Sequence, residues 1–304
     1  MVLSIGCKSE AYLTEEGLEA ESKFIETPGI KLHYLEWPGS GPPAVMLHGR
    51  GLCAQVWRPT AESLASQFRV VAMDLRGHGD SDKPGGYNWE NVAPDLKTFV
   101  EGLDLRDILL IGHSRGAVLA ALGGSFISDR VRGAILIEPG MPVHNPEPGS
   151  HHDRSAAARV ARNRRSLWPS RQAIFDRYSQ AEAFRNWRTD LLWEYINGGT
   201  EELDDGQAQL KCTPEIEAEF TAAQAPADQD EWLARVSFPI LLITSENPTR
   251  HPAANASLRL LQKASPSFEH VIMKDVGHFI PQERPDELEG EIHRFVESGV
   301  MRGV

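Results

Sequence analysis

One five-residue motif has the residue types and spacing that nucleophilic catalysis needs. Gly112-His113-Ser114-Arg115-Gly116 follows the apolar run Ile108–Ile111 and opens a helical stretch that continues through Ala117–Ala121. A serine on a sharp turn between a strand and a helix stands exposed at the end of the strand, and small neighbours leave room for the turn. A helix N-cap would explain the serine but not both glycines. We therefore predict that Ser114 is a nucleophile.

A serine nucleophile needs a general base, and one of the 11 histidines is well placed to supply it. Val276-Gly277-His278-Phe279 follows the last predicted strand, and a flexible glycine stands beside the histidine. His78 and His113 are interpreted as structural residues, the ordinary role of a lone histidine. We predict that His278 takes the proton of Ser114.

A glycine-containing turn offers hydrogen-bond donors to the same reaction. His48-Gly49-Arg50-Gly51 follows the apolar run Ala44–Leu47. The backbone N–H groups of Arg50 and of Arg115, the residue after the nucleophile, are predicted to face one cavity and to form an oxyanion hole, which stabilises a tetrahedral intermediate. The glycine-rich segment Asp74–Ser81 is interpreted as a structural loop that braces the nucleophile turn.

Strands and helices alternate along most of the chain, and this alternation positions the residues above. Strands are predicted at Lys23–Thr27, Ile30–Trp37, Ala44–Leu47, Val70–Met73, Ile108–Ile111, Ala134–Ile137, Ile240–Thr244 and Phe268–Met273. Helical patterns occupy Trp57–Ser66, Asn91–Gly102, Ser114–Ile127, Ala253–Lys263 and Pro285–Ser298. Short apolar runs between helices are typical of a buried parallel sheet. The sequence therefore predicts an α/β fold, with a mostly parallel central sheet flanked by helices.

One segment interrupts the alternation. From about Pro142 to Glu231 several helical stretches occur without a convincing strand. Such an insertion is too long for a loop. We predict an inserted, all-helical lid (cap) domain at 142–231, a core formed by 1–141 and 232–304, and an acidic surface leader over residues 1–20.

Composition excludes several classes of protein. Of the 304 residues, 41% are hydrophobic and 24% are charged, which is typical of a folded globular protein. Lys and Arg number 31 against 43 Asp and Glu, so a net charge of −12 argues against nucleic acid and against a membrane surface as partners. The three cysteines lie far apart, and we predict neither a disulfide framework nor a metal site. Without a signal peptide or an apolar span of ~20 residues, a cytoplasmic location is expected.

Taken together, the motifs resemble those of the α/β-hydrolase superfamily. The turn at Gly112–Gly116, the His48-Gly49 loop, the Asp74–Ser81 segment and the Gly277-His278 loop occur in that family's order, and the lid falls at its usual insertion point. The resemblance spans residues 24–141 and 236–300 and implies an α/β-hydrolase fold with a lid and catalysis without cofactor or metal. Epoxide hydrolases and haloalkane dehalogenases of this superfamily need a nucleophilic aspartate, which argues against those activities here.

The acid of the triad departs from the family pattern. The family usually takes it from the loop after the strand Ile240–Thr244, where this chain reads Ser245-Glu246-Asn247-Pro248-Thr249-Arg250 and has no aspartate. Some members carry the acid one strand beyond the nucleophile, and Glu138 follows the strand Ala134–Ile137 directly. A carboxylate that closes a buried apolar strand needs a partner. We favour Glu138 as the acid and keep Glu246 as the alternative.

The lid suggests two properties of a substrate. Residues 151–190 hold nine arginines against four carboxylates, which indicates either solvated helix faces or attraction of an anionic substrate. Aromatic residues between them, Trp168, Phe175, Tyr178, Phe184, Trp187, Trp193 and Tyr195, indicate either a pocket for a bulky apolar or aromatic group or the lid's own core.

These patterns predict a serine hydrolase that cleaves a small-molecule carboxylic ester or lactone through a Ser-His-Glu triad and an acyl-enzyme. Two alternatives remain open. One is hydrolysis of a C–C bond in an aromatic ring-fission product, and the other is a hydrolase-fold receptor that uses its pocket for sensing. A homodimer is one candidate for the oligomeric state.

Overall fold

A computed structural model describes residues 19–142, 144, 154–246 and 252–299. Most of the predicted acidic leader, the lid entrance from 145 to 153 and positions 247–251 after the seventh predicted strand lie outside the described residues.

Most of the described strands form one central sheet. The strands are β1 (Glu21–Thr27), β2 (Ile30–Trp37), β3 (Pro43–Leu47), β4 (Arg69–Met73), β5 (Ile108–His113), β6 (Val131–Ile137), β7 (Leu167–Trp168), β8 (Thr200–Glu202), β9 (Ala208–Leu210), β10 (Ile240–Ser245) and β11 (Phe268–Met273). Eight of them form the central sheet, in the order β1-β2-β4-β3-β5-β6-β10-β11. The first two pairings, of β1 with β2 and of β2 with β4, are antiparallel, and all the others are parallel. The mostly parallel sheet is the predicted one.

Eleven α-helices are described, and those of the core cover both faces of the sheet. They are α1 (Arg58–Leu64), α2 (Trp89–Gly102), α3 (Arg115–Gly124), α4 (Arg154–Arg162), α5 (Arg171–Tyr178), α6 (Thr189–Gly199), α7 (Pro214–Ala222), α8 (Gln229–Leu233), α9 (Pro252–Ala264), α10 (Ile280–Glu283) and α11 (Pro285–Glu297). Alternate residues of the central strands enter two separate apolar clusters: one includes residues of α2, α3 and α9, and the other includes residues of α1 and α11. Because successive side chains of a strand point to opposite faces, this gives a helix–sheet–helix sandwich.

The central strands end together at the edge where the site forms. Every residue of β5 is buried, and β6 and β10 are buried except for one half-buried residue each. Each of these strands has a long apolar run because helices cover both faces of the sheet there. In the outer strands β1 and β11, by contrast, more exposed and less exposed residues alternate. Parallel strands place their carboxyl ends at one edge of the sheet, so the residues that follow β3, β5, β6 and β10 become neighbours.

The segment between β6 and β10 is mostly helical, as predicted, but it is not wholly so. Strands β7, β9 and β8 form a small antiparallel sheet beside α4 to α8. The expectation of an all-helical lid is therefore corrected. Strands of two or three residues are too short to show alternation in a sequence, so their pairing depends on tertiary contacts. No described helix combines the length and the apolar composition that crossing a bilayer requires.

Candidate active site

The predicted nucleophile lies on a tight turn between β5 and α3. Ser114 has φ of 53° and ψ of −111°, and its backbone N–H donates to the carbonyl of Ile137 at 2.8 Å. A Cβ on Gly116 would lie 2.0 Å from the carbonyl oxygen of Leu47, and one on Gly112 would lie 2.4 Å from that of Gly116. Both glycines are thus required by close backbone approach. The left-handed φ of a serine is a strained conformation of the kind that functional sites hold.

The predicted base and the favoured acid form a chain of hydrogen bonds with Ser114. Nε2 of His278 lies 2.9 Å from Ser114 Oγ, and Nδ1 of His278 lies 3.2 Å from Glu138 Oε2. The side chain of Glu138 is 1% exposed and that of His278 is 32% exposed. An ionised carboxylate can only accept, so it places the proton of the imidazole on Nδ1, and Nε2 then accepts from the serine hydroxyl.

Glu138 is held by hydrogen bonds to the neighbouring strand β10. It follows β6 directly with φ of 53°, its N–H donates to the carbonyl of Ile243 at 2.8 Å, and its Oε1 accepts the backbone N–H of Ser245 at 2.6 Å. Hydrogen bonds from a backbone N–H and from an imidazole satisfy a buried carboxylate that would otherwise be costly. The donation from Ser245 was not predicted, and no sequence pattern encodes it.

The alternative acid lies at the surface. The Glu246 side chain is exposed, and its backbone N–H donates to the carbonyl of Met273 at 2.9 Å. Within the described part of the chain, no hydrogen bond joins its carboxylate to His278. Pro248, at the family's usual aspartate position, lies outside the described residues. The structure therefore brings together Ser114, His278 and Glu138 and leaves Glu246 apart.

Two further contacts position the histidine loop. Nε2 of His113 donates to the carbonyl of His278 at 2.8 Å, and the N–H of Gly277 donates to Glu283 Oε2 at 2.8 Å. The structural interpretation of His113 fits this contact. The contribution of Glu283 was missed, because an acidic residue near a helix start gives no signal that separates it from a helix-capping residue.

The loop after β3 is fixed by buried histidines. His48 donates from Nδ1 to the carbonyl of Gly49 at 2.8 Å and accepts the N–H of Leu75 on Nε2 at 3.1 Å. His78 Nε2 accepts the N–H of Gly51 at 3.0 Å. The segment Asp74–Ser81 is thus a structural brace, as interpreted, but it braces this loop instead of the nucleophile turn.

The uncharged state of His78 leads to a prediction for stability. Burial, and after it the nearby His48, lower the pKa of His78 to about 3. The unfolded chain, with an ordinary histidine pKa of ~6.5, binds an extra proton between these values. The free energy of unfolding is therefore expected to fall below pH 6.5, with a contribution from His78 of up to ~1.4 kcal/mol per pH unit.

The measurement is urea unfolding at several pH values from 7 to 4.5. In His78→Gln the amide oxygen can still accept from Gly51, and the slope of unfolding free energy against pH should lose about that contribution. An unchanged slope would contradict this account, because it would show that His78 binds its proton at the same pH in the folded protein as in the unfolded chain.

A cavity of about 220 Å³ opens beside the nucleophile. Ser114, Arg50, Arg115, Val118, Arg154 and Thr221 are among its lining residues. The predicted oxyanion-hole residues thus face the same cavity as the serine. Arg115 begins α3, where a backbone N–H has no carbonyl partner within the helix. Three arginines in one small cavity make it suited to an anion.

The lid aromatics pack mainly on each other. Phe175 stacks on Trp193 with ring centroids 4.6 Å apart, and Tyr178 stacks on Phe184 at 4.8 Å. The ring centroid of Phe184 also lies 5.9 Å from that of Phe279, the neighbour of His278. The seven lid aromatics of the sequence analysis all belong to a core that joins the lid to the histidine loop. They therefore do not by themselves support a bulky apolar or aromatic substrate, which stays an expectation.

One described group of side chains has the composition of a metal site. His33, Asp74 and Asp80 offer ligand atoms within 4.8 Å of one another. Asp74 Oδ2 already takes a hydrogen bond from His33 Nδ1 at 2.7 Å and another from the N–H of Asp80 at 3.0 Å, while its Oδ1 accepts from Ala54 at 2.7 Å. The bonds from His33 and from the N–H of Asp80, together with the nearby His48, hold the pKa of Asp74 far below its ordinary value despite burial. The group is explained as a hydrogen-bonded support of the loop after β3.

The doubly covered parallel sheet and the serine at the β5–α3 turn define the class of protein. They are the marks of an α/β-hydrolase whose nucleophile position holds serine. A model of the alpha/beta hydrolase family matches residues 44–291, and the chain belongs to that family. Family membership assigns the protein to the hydrolases.

Relatives and solved structures agree on the fold and differ in activity. Epoxide hydrolase 3 of Siraitia grosvenorii is 27% identical over 318 aligned residues, which cover 90% of this chain and 96% of that protein. The structure of E-2-(acetamidomethylene)succinate hydrolase matches with a TM-score of 0.76 at 23% identity, covering 91% of this chain and 99% of the other. The enol-lactonase of Burkholderia xenovorans LB400 matches with a TM-score of 0.69 at 21% identity, covering 90% and 99%. At such identities the structural matches show the fold alone.

Proposed function

We propose that the protein hydrolyses a carboxylic ester or lactone through an acyl-enzyme on Ser114. One observation carries the proposal: Ser114 Oγ lies 2.9 Å from His278 Nε2, and the other imidazole nitrogen lies 3.2 Å from a buried carboxylate of Glu138. A serine hydroxyl becomes nucleophilic when a base accepts its proton, and the carboxylate stabilises the imidazolium that forms.

The reaction then runs in two halves. Ser114 Oγ attacks the acyl carbon while His278 accepts its proton, and the backbone N–H groups of Arg50 and Arg115 stabilise the oxyanion. The imidazolium gives its proton to the leaving alcohol oxygen, and an acyl-enzyme remains. Water, deprotonated by His278, attacks that ester, and collapse of the second tetrahedral intermediate returns the proton to the serine and releases the acid.

The chemistry of serine favours acyl over alkyl substrates. Attack of Ser114 on an epoxide or a haloalkane would leave a serine ether, which has no carbonyl for water to attack. The enzyme would be trapped after one event. The activity in the name of the Siraitia relative is therefore not proposed for this chain, whereas the lactone named for the Burkholderia structure is compatible with it.

The experiment compares turnover of a p-nitrophenyl ester, a large aromatic lactone and a ring-fission dienoate by the wild-type protein. Release of acid from the ester or lactone, absent in Ser114→Ala, is the expected result. Cleavage of the dienoate alone would contradict the proposal in favour of C–C bond hydrolysis. Tight binding without turnover of any of the three would contradict it in favour of a ligand receptor.

A further inference from the structure

The cavity beside Ser114 holds more positive charge than ester hydrolysis itself needs. Arg50, Arg115 and Arg154 line it together. Each oxyanion-hole role above uses a backbone N–H, so none of the three guanidinium groups has a part in the proposed reaction. A charge placed at a substrate cavity without a part in the chemistry is suited to recognition.

Arg115 is the most unusual of the three. Its guanidinium carbon lies 3.8 Å from the ring centre of Trp89 and 5.4 Å from that of Phe220. Its Nε and Nη2 atoms are buried and have no hydrogen-bond acceptor among the described residues. Burial, together with the charges of Arg154 and Arg50, holds the pKa of Arg115 well below its ordinary value. Buried charged donors without an anion are costly. An anion bound beside Arg115 would therefore stabilise the cavity.

The other two arginines have partners that compensate little of the charge of the cavity. The Arg154 guanidinium donates to the carbonyl of Ala223, which is neutral. Nη1 of Arg50 donates to Thr221 Oγ1 at 2.8 Å, and its Nε lies 3.7 Å from Glu217 Oε1. That carboxylate is the one described acidic group paired with any of the three.

The arginines of the lid other than Arg154 are different. Arg164 binds Glu217 and the hydroxyl groups of two tyrosines, and Arg188 pairs with Asp190 at 2.8 Å. Glu217 is thus shared between Arg164 and the cavity, which leaves less of its charge for Arg50. Solvated helix faces explain most of the lid's arginines, and they do not explain the buried, unpaired donors of Arg115.

We propose that the substrate carries a carboxylate group, which binds in this cavity on the guanidinium group of Arg115, with Arg154 and Arg50 beside it. The inference rests on the proposed ester hydrolysis and names the substrate class. A planar guanidinium matches the two oxygens of a carboxylate, and hydrogen bonds between such charged groups are stronger than neutral ones. The cation–π contact with Trp89 holds the fork in place without neutralising it.

The experiment measures the hydrolysis of two matched pairs of esters, and the protons released by the reaction report its rate. Monoethyl glutarate is compared with ethyl 5-methylhexanoate, and O-butanoylglycolate is compared with isobutyl butanoate. In each pair an isopropyl group replaces the carboxylate, first on the acyl side and then on the alcohol side. We expect the charged member of at least one pair to have a kcat/KM higher by ~30-fold.

The variants test whether the cavity arginines cause the preference for the substrate that carries the carboxylate. Arg115→Gln and Arg154→Gln should each reduce the ratio of charged to neutral kcat/KM by about tenfold or more. Arg162→Gln, on the same helix as Arg154 but with an exposed side chain, should leave the ratio at its wild-type value. Thermal unfolding checks that each variant folds, and the Arg154 variant keeps the test informative if the Arg115 variant does not.

A measurement without turnover separates this inference from the proposed function. Glutarate should slow the reaction of Ser114 with a small fluorophosphonate in the wild type and should do so far less in the two cavity variants, while neutral glutaramide should not. Protection by glutarate without cleavage of any ester would contradict ester hydrolysis and support the carboxylate site. Equal rates within both pairs together with no protection, or a preference that survives in both variants, would overturn the inference.

Discussion

Ser114→Ala is expected to lower kcat by ~10⁶ and to leave the fold unchanged, because loss of a triad serine removes the nucleophile itself. The residue stands at the turn between β5 and α3, and its Oγ contacts His278 at 2.9 Å. Removing this oxygen leaves the backbone donation to Ile137 in place. The measurement is kcat on the best ester of the panel, with circular dichroism to confirm folding.

Ser125→Ala is a matched control for this substitution. Ser125 is buried at the end of α3, and its hydroxyl donates to the carbonyl of Leu122 at 2.6 Å, away from the cavity. The control should keep the wild-type kcat. Activity of Ser114→Ala within ~10-fold of the wild type would mean that another group attacks the substrate.

Glu138→Gln is expected to lower kcat by at least ~10² and by as much as ~10⁴. The amide keeps the volume and can still accept from Ser245, but it removes the charge that stabilises the imidazolium of His278. Its NH₂ group can also donate to Nδ1 and thereby favour the wrong tautomer. The loss should appear in kcat on the same substrate.

Glu246→Gln provides the comparison, because it makes the same chemical change in the loop where the family usually carries the acid. Its side chain is exposed, and we expect a loss below ~10-fold. A larger loss for Glu246→Gln than for Glu138→Gln would place the acid in that loop. No loss in either variant would mean that His278 is oriented by another group.

The fold could be predicted largely from the sequence because its strongest signals are local. Runs such as Ile108–Ile111 and Ile240–Thr244 are apolar throughout, and only a sheet covered on both faces accommodates several of them. All eight strands predicted for the main sheet are found, and the family match confirms the α/β-hydrolase fold. The two- and three-residue strands of the lid were missed because they are defined by partners distant in sequence.

The candidate site was predictable to the extent that each residue follows a strand. Ser114, Glu138 and His278 come after β5, β6 and β11, and parallel topology brings the ends of such strands together. Glu138 was favoured because a carboxylate that closes an apolar strand needs a partner, and the structure supplies His278 and Ser245 as partners.

The charge of the cavity could not be predicted in the same way. The sequence shows more arginines than carboxylates in the lid, but it does not indicate which of these arginines reach the site. Arg154 lies in the lid, Arg50 follows β3 and Arg115 begins α3, so their convergence depends on how the lid packs on the core. Likewise the packing of Phe184 on Phe279, which joins two segments far apart in the chain, leaves no trace in the local pattern.

The most direct measurement is peptide mapping of the protein after reaction with a small fluorophosphonate. The hydrogen-bonded arrangement of Ser114, His278 and Glu138 predicts a single covalent adduct, on the peptide that contains Ser114, and no adduct in Ser114→Ala. An adduct on a different residue of the wild type, or equal labelling of Ser114→Ala, would contradict the assignment of Ser114 as the nucleophile.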